Sequence, residues 1–353
     1  MKIKDVISVL ETIAPPKYQE SYDNCGLIVG NADATLTQAL ICLDSTEEIV
    51  EEAINRGCNL VIAHHPIVFG GLKKITGKNY VERTVIKAIK NNIAIYAIHT
   101  NLDSVHTGVS KKISDKIGLQ NCQILSPRKG LLKKLSVLCP IEQANLLRSR
   151  LLEAGAGKTG DFAETSFNLL GVSTLSHDAN AQHGTLRIDT VFAAHLEGKI
   201  IAAIAAFATS APISYELSAL DNLYSKIGFG MIGELPQPQD PSAFLSYLKQ
   251  TMQTNCIRHT RMLRKPVQKI AVCGGAGFSL LPDAIAQKAD VFITADVKYH
   301  QFFDAENHLI LADIGHYESE QFTIELLGEL LTEKIPNFAP ILTQINTNPV
   351  FYL

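Results

Sequence analysis

Residues 59–66 read Asn59-Leu60-Val61-Ile62-Ala63-His64-His65-Pro66. The short apolar run with β-branched Val61 and Ile62 predicts a buried strand, and Pro66 prevents its continuation. Two imidazoles therefore arrive at a strand's carboxyl end, which is where open α/β sheets place their ligands. Regular strand alternation would send neighbouring side chains to opposite faces, but that constraint relaxes at the end of the strand. The pair is read either as two metal ligands or as two half-buried histidines without a ligand role.

The surrounding sequence supports the α/β reading. On the amino-terminal side, Gln38 to Leu43 predicts a strand ending at Asp44, and Ser45 or Thr46 caps a helix that carries Glu47 and Glu48 in its first turn. Asn55-Arg56-Gly57 closes that helix, so the unit is strand, helix, strand, with parallel strands and a right-handed crossover. On the other side, a helix over Val81 to Lys90 is followed by a strand over Ile93 to Ile98 that enters His99-Thr100-Asn101-Leu102-Asp103. Asp103 is thus a third ligand candidate on the same sheet edge; the alternative is a cap for a helix from about Val109. Earlier in the chain, Ile3 to Ile13 has helical spacing, and Tyr22-Asp23-Asn24-Cys25-Gly26-Leu27 turns into a short strand, Leu27 to Val29.

After Pro127-Arg128-Lys129-Gly130 the rhythm changes. Strand Lys134–Cys139, helix Ile141–Glu153, strands Phe167–Leu175 and Leu186–Ala194, helix Gly198–Ala208 and strand Ile213–Leu220 follow in order. This β-α-β-β-α-β succession is the ferredoxin-like pattern, and it fills a small domain. Its loop histidines, His177 and His183, are read as solvated, with His195 as a further reserve candidate. From Gly228-Phe229-Gly230 the α/β rhythm returns, with helix Pro241–Thr251 and a strand over Lys269 to Cys273 that enters Gly274-Gly275-Ala276-Gly277. That loop lacks the G-x-x-x-x-G-K-[ST] pattern, so close strand-to-helix packing explains it as well as phosphate binding does. Helix Leu280–Ala289 and strands Asp290–Thr294 and His308–Ala312 lead to Gly315-His316-Tyr317-Glu318-Ser319-Glu320. His316 and Glu320, four apart at the start of a helix expected over Glu318–Leu331, share one face. His64, His65, Asp103, His316 and Glu320 exceed the three ligands of one catalytic zinc and suit two metal ions bridged by a carboxylate and a water.

Composition is that of an ordinary globular chain of 353 residues, 46% hydrophobic and 19% charged, long enough for two domains. A net charge of -3 gives no electrostatic case for nucleic acid. Seven scattered cysteines without a C-x-x-C pair suit reduced thiols, and no apolar run has membrane-spanning length. With no apolar signal core at Met1–Asp5, the expected location is cytoplasmic.

Taken together, Tyr22–Leu27, His64-His65-Pro66, His99–Asp103, Cys273–Gly277, Asp290–His300 and Gly315–Glu320 resemble the Nif3-like dinuclear-metal proteins, commonly labelled GTP cyclohydrolase I type 2 homologs. The resemblance spans nearly the whole chain. It implies a bipartite Nif3-like α/β domain, residues 1–129 and 228–353, interrupted by a ferredoxin-like (PII/CutA-like) α+β insert at 130–227. It also implies two divalent ions per chain (zinc, iron or manganese) on His64, His65, Asp103, His316 and Glu320, inside a toroidal homohexamer. Two departures stand out. Ala295 replaces the glycine of the Thr-Gly-Asp element, and Ala211-Pro212-Ile213-Ser214-Tyr215-Glu216 lacks the insert's His-Pro-Tyr-Glu-Glu.

The expected chemistry is metal-assisted hydrolysis of a nucleotide or phosphoester. Asp44, His99, Lys298 and His300 are the candidate acid, base or substrate-binding groups, and Asp296 orients ligands. The alternative is a non-catalytic metal-binding or delivery protein, or a regulatory scaffold whose insert binds an effector.

Overall fold

The computed structural model describes residues 1–158, 164–173, 183–208 and 213–353, the side chains of Ser173 and His183 excepted. His177 and residues 211–212 of the insert element lie outside the described residues. The chain divides into two compact units, Met1–Ser126 with Ile227–Leu353, and Pro127–Lys226.

The first unit contains two sheets. In spatial order one runs Gly26–Val29, Ala94–Ala97, Leu60–Ala63, Ala39–Cys42, Ile341–Leu342. Its three middle strands are parallel and every residue in them is buried, as a sheet covered on both faces requires. The other runs Arg258–His259, Ile310–Asp313, Val291–Thr294, Val267–Val272, Tyr224–Gln239, Gln120–Arg128. It too has a parallel core of three, from Val267, Val291 and Ile310 onward. The helix Glu47–Asn55 starts where Thr46 accepts from the Ile49 amide, and Pro241–Thr251 starts at Asp240, which caps Ser242 and Ala243.

The second unit is a four-stranded antiparallel sheet in the order Ser166–Ser173, His183–Ala193, Leu132–Pro140, Ser214–Leu220. In chain order this is 2-3-1-4, the ferredoxin-like arrangement. Leu135, Val137 and Cys139 alternate inward and meet Leu147, Ile200 and Phe207 of its two helices. His195 sits in the short turn Ala194–Leu196.

Several elements differ from the sequence reading. Strands Gln120–Arg128 and Tyr224–Gln239 went unread because Pro127, Gly230, Gly233, Pro236 and Pro238 punctuate them like turns. The helix expected over Glu318–Leu331 is two, His316–Glu320 and Thr323–Lys334. Between them the Gln321 side chain donates to the carbonyls of Met252 and Glu318, and the latter would otherwise serve the helix ladder. Asp103 caps nothing at Val109: it ends a short helix, Thr100–Asp103, and Gly108 takes the cap position.

Candidate metal centre

The carboxyl ends of both parallel cores converge. Asp44 follows Cys42, His64 and His65 follow Ala63, and His99 follows Ala97; Asp296 follows Thr294 and His316 follows Asp313. The amides of His64 and His65 still donate to the carbonyls of Cys42 and Leu43, which anchors both residues to the neighbouring strand. Their rings lie 4.9 Å apart, His316 is 5.4 Å from His65, and His99 is within 5.3 Å of both strand-end histidines.

Glu320 is the shared member. Its Oε2 accepts from His65 Nε2 at 3.0 Å and faces His316 Nε2 at 3.1 Å. Its Oε1 lies 3.9 Å from His64 Nε2, which in turn lies 3.6 Å from Asp103 Oδ1. His64 is wholly buried, and its Nδ1–H donates to the Ile98 carbonyl at 2.8 Å, leaving the Nε2 lone pair directed at the carboxylates. Among the described residues neither His64 Nε2 nor Asp103 Oδ1 has a hydrogen-bond partner, although both atoms are buried. Two acceptors left facing one another are costly. Donors that share one ion at bond lengths of about 2.0–2.2 Å lie about 3–4 Å apart, so the pair fits a metal. Among the described residues, the side chains that can hold an ion form three groups: His64 with Asp103 and Glu320, His65 with His316 and Glu320, and His64 with His65 and His99.

The Duf34/NIF3 (NGG1p interacting factor 3) family profile matches residues 1–349. The chain belongs to this family. A relative from Staphylococcus epidermidis, named GTP cyclohydrolase 1 type 2 homolog, is 34% identical with all of both chains covered. One of the same name from Halalkalibacterium halodurans is 30% identical over 99% of this chain and 98% of its own. Among solved structures, a Bacillus cereus protein related to NIF3 superposes with a TM-score of 0.85 at 32% identity, covering 100% of this chain and 99% of the other. The bipartite α/β domain with its ferredoxin-like insert is thus a NIF3-type architecture.

In this NIF3 protein the outward ring nitrogens of the other three histidines are each held by a carboxylate. His65 Nδ1 meets Asp44 Oδ1 at 2.7 Å, His316 Nδ1 meets Asp296 Oδ2 at 2.7 Å, and His99 Nδ1 meets Asp23 Oδ1 at 2.9 Å. This is the outer-shell pattern that fixes the tautomer of ligating histidines. Asp296 adopts a left-handed φ of 56°, a backbone strain typical of functional sites. Burial opposes charge on His65 and His316, but their carboxylate partners outweigh it and raise the pKa values to about 10 and about 11. Burial, with the neighbouring Glu320 charge, pushes Asp103 up to about 7. Glu320 is also opposed by burial, yet hydrogen bonds from the histidines around it hold it well below the carboxylate range. Perturbed carboxylates of this kind cluster at functional sites.

The glycine loop packs close to the cluster. A Cβ on Gly275, whose φ is 61°, would fall 2.4 Å from Glu320 Oε1, and one on Gly274 would fall 2.8 Å from Val109. The glycines let the backbone pass close to the shared carboxylate.

Asp44 and His99 line a cavity of about 670 Å³ that opens beside His65 and His316. Lys298 and His300 do not line it. Lys298 precedes the short helix Tyr299–Ala305, and the His300 ring rests on Tyr299 and Phe303. Asp23 was not singled out from sequence, being 76 residues from His99. Its carboxylate also accepts from the Thr100 amide and hydroxyl and from Cys25 Sγ, and these bonds override burial to hold it well below the usual range. Thr347, another residue unread, donates to Asp44 Oδ2 at 2.7 Å. Among the described residues no helix is long and apolar enough to cross a membrane.

Proposed function

We propose that this NIF3 protein binds two divalent metal ions and hydrolyses a nucleotide or phosphoester. The observation that carries this reading is the buried, unpartnered pair His64 Nε2 and Asp103 Oδ1 beside Glu320. In this reading His64 and Asp103 hold one ion, His65 and His316 hold the other, and Glu320 serves both. The placement of the two Glu320 oxygens favours Glu320 over Asp103 as the bridging carboxylate. Mixed imidazole and carboxylate donors suit zinc, iron or manganese. Bound there, the ions supply an acidified water and an electrophilic clamp on a phosphoryl or ring-carbon centre.

The protein's own groups do the rest. Asp44 and Asp296 hold the outward nitrogens of His65 and His316, so the inward nitrogens are fixed toward Glu320. Asp23 holds His99 Nδ1, which leaves His99 Nε2 as the atom able to take or give a proton next to the strand-end histidines. The cavity, at about 670 Å³, has the size of a small-molecule site. The names of the relatives place a purine nucleotide among the first substrates to try.

The test is a screen of nucleotides and phosphoesters with protein loaded separately with zinc, iron and manganese. Turnover that needs metal and is lost in Asp103→Ala supports the hydrolase. Two tightly exchanging ions without turnover of any substrate would leave a metal-holding protein instead. The cytoplasmic homohexamer belongs to the same proposal, and light scattering should return six times the chain mass of 38.5 kDa.

A further inference from the structure

Arg258 stands between two cavities. It lines the one that opens beside His65 and His316, and with Arg261, Tyr299, Phe302 and Phe303 it lines a second, of about 520 Å³. Its Nη2 donates to the Val297 carbonyl at 3.0 Å and to Asp313 Oδ2, and its guanidinium carbon lies 5.5 Å from the centre of the Phe302 ring. Asp313 is buried and also accepts from the amides of Val297 and Gly315, at 2.9 and 3.1 Å. One carboxylate thus ties Arg258 to the turns that carry Asp296 and His316. Among the described residues the guanidinium's Nε and Nη1 have no hydrogen-bond partner, and the side chain is 55% exposed. The two cavities differ in charge. Four acids and three histidines line the first, and Arg258 is its only arginine or lysine among the described residues. The second sets Arg258, Arg261 and His259 against one acid, Glu306. Its apolar side is aromatic and open to solvent: Tyr299 is 73% and Phe303 65% exposed, with ring centres 5.7 Å apart. Large rings left bare in one hollow mark a contact surface. The His300 ring packs on both of them.

We propose that the second cavity is a subsite for the far arm of a phosphodiester, with Arg258 holding a phosphoryl oxygen where the substrate crosses from one cavity to the other. An anchored guanidinium with spare N–H donors binds phosphate oxygens in a fixed direction, which a flexible ammonium does not. Room of small-molecule size on both sides of it calls for a phosphate substituted on both sides, and a monoester has only one arm. A monoester also brings a second charge near neutral pH, which the four acids of the first cavity oppose. The open faces of Tyr299 and Phe303 fit a planar far arm. The inference rests on the proposed reading only in taking a phosphoester as the reacting group.

The experiment titrates the full, metal-loaded chain calorimetrically with diphenyl phosphate and methyl phenyl phosphate. Both are diesters with a single charge, and they differ only in whether the second arm is a ring. Diphenyl phosphate should bind about three- to tenfold more tightly, the worth of packing one aromatic ring on another. Phe303→Ala, a change at an exposed position, should erase most of that advantage. Arg258→Ala should weaken both probes about tenfold or more while the metal content stays that of the native chain. Equal binding of the two probes, no binding of either, an advantage that survives Phe303→Ala, or binding untouched by Arg258→Ala would overturn the proposal. Should Arg258→Ala not fold, the native chain and Phe303→Ala decide the matter. A chain that shows this pattern yet hydrolyses no phosphoester refutes the hydrolase and leaves the subsite standing. A phosphoester hydrolase indifferent to the second arm does the reverse.

Discussion

The His65 imidazole is held by Asp44, Nδ1 to Oδ1 at 2.7 Å, and this contact decides which nitrogen faces Glu320. Thr347 braces the other Asp44 oxygen at the same distance. Burial disfavours the Asp44 charge, but the bond to His65, the charge on that ring and the Thr347 bond together outweigh it and keep the acid below its ordinary range. Asp44→Ala should therefore weaken metal binding about 10- to 100-fold with little loss of fold, the usual effect of removing an outer carboxylate. Competition with a chelator of known affinity measures it; an unchanged affinity would mean that Asp44 does not orient the ligand.

The two Glu320 oxygens point at different donor groups, so the two carboxylates of the cluster should fail differently. The native chain, reconstituted, should carry about two ions. Glu320→Ala should lose both, whereas Asp103→Ala should lose the ion on the His64 side and retain about one. Elemental analysis paired with native mass spectrometry separates the cases. Equal loss in both variants would count against Glu320 as the single bridge.

Much of this centre was legible in the chain. A strand that ends in His64-His65 and a helix that begins with His316 and Glu320 are local signals, each visible within eight residues. Parallel strand-helix-strand order then brings such ends to one edge. The partners that orient the ligands were less visible, because Asp23 reaches His99 across 76 residues and Thr347 reaches Asp44 across 303. No spacing rule connects residues so far apart. Lys298 and His300 also follow a strand end, as Asp296 does, yet neither lines the cavity: Lys298 precedes the short helix Tyr299–Ala305 and His300 lies within it. The helix break at Gln321 was illegible for a similar reason, since its side chain pairs with Met252, an element away.

Without metal, the cluster should make stability depend on pH in one direction. His65 and His316 have folded pKa values of about 10 and about 11, above the roughly 6.5 of an unfolded histidine. Their stabilisation is complete below about pH 6.5 and is lost as pH rises through about 10. Asp103, raised to about 7, acts with the same sign at lower pH. The Tm of the metal-free chain should thus fall between pH 6.5 and 10. Metal uptake should release protons and tighten as pH rises, because each ion displaces them. A metal-free Tm that stays level or climbs over this range would show that the histidines are not charged in the folded chain.

The last prediction concerns the insert. Every donor atom of the cluster belongs to the unit formed by Met1–Ser126 and Ile227–Leu353. The chain leaves that unit along the strand Gln120–Arg128 and returns along its sheet neighbour Tyr224–Gln239. The two crossings are close, since Leu125 Cδ2 would lie 3.2 Å from a Cβ on Gly230. Ends that adjoin at a host surface are what make an insertion removable. The unit Pro127–Lys226 has a core of its own, from Leu135 and Val137 to Ile204 and Phe207, so its loss leaves the host core intact. Replacing residues 127–226 with a short Gly/Ser linker should give a folded chain that binds about two ions. Circular dichroism and metal analysis check it together. A folded deletion variant without metal would place a ligand in the insert and make His177, His183 and His195 the residues to replace next.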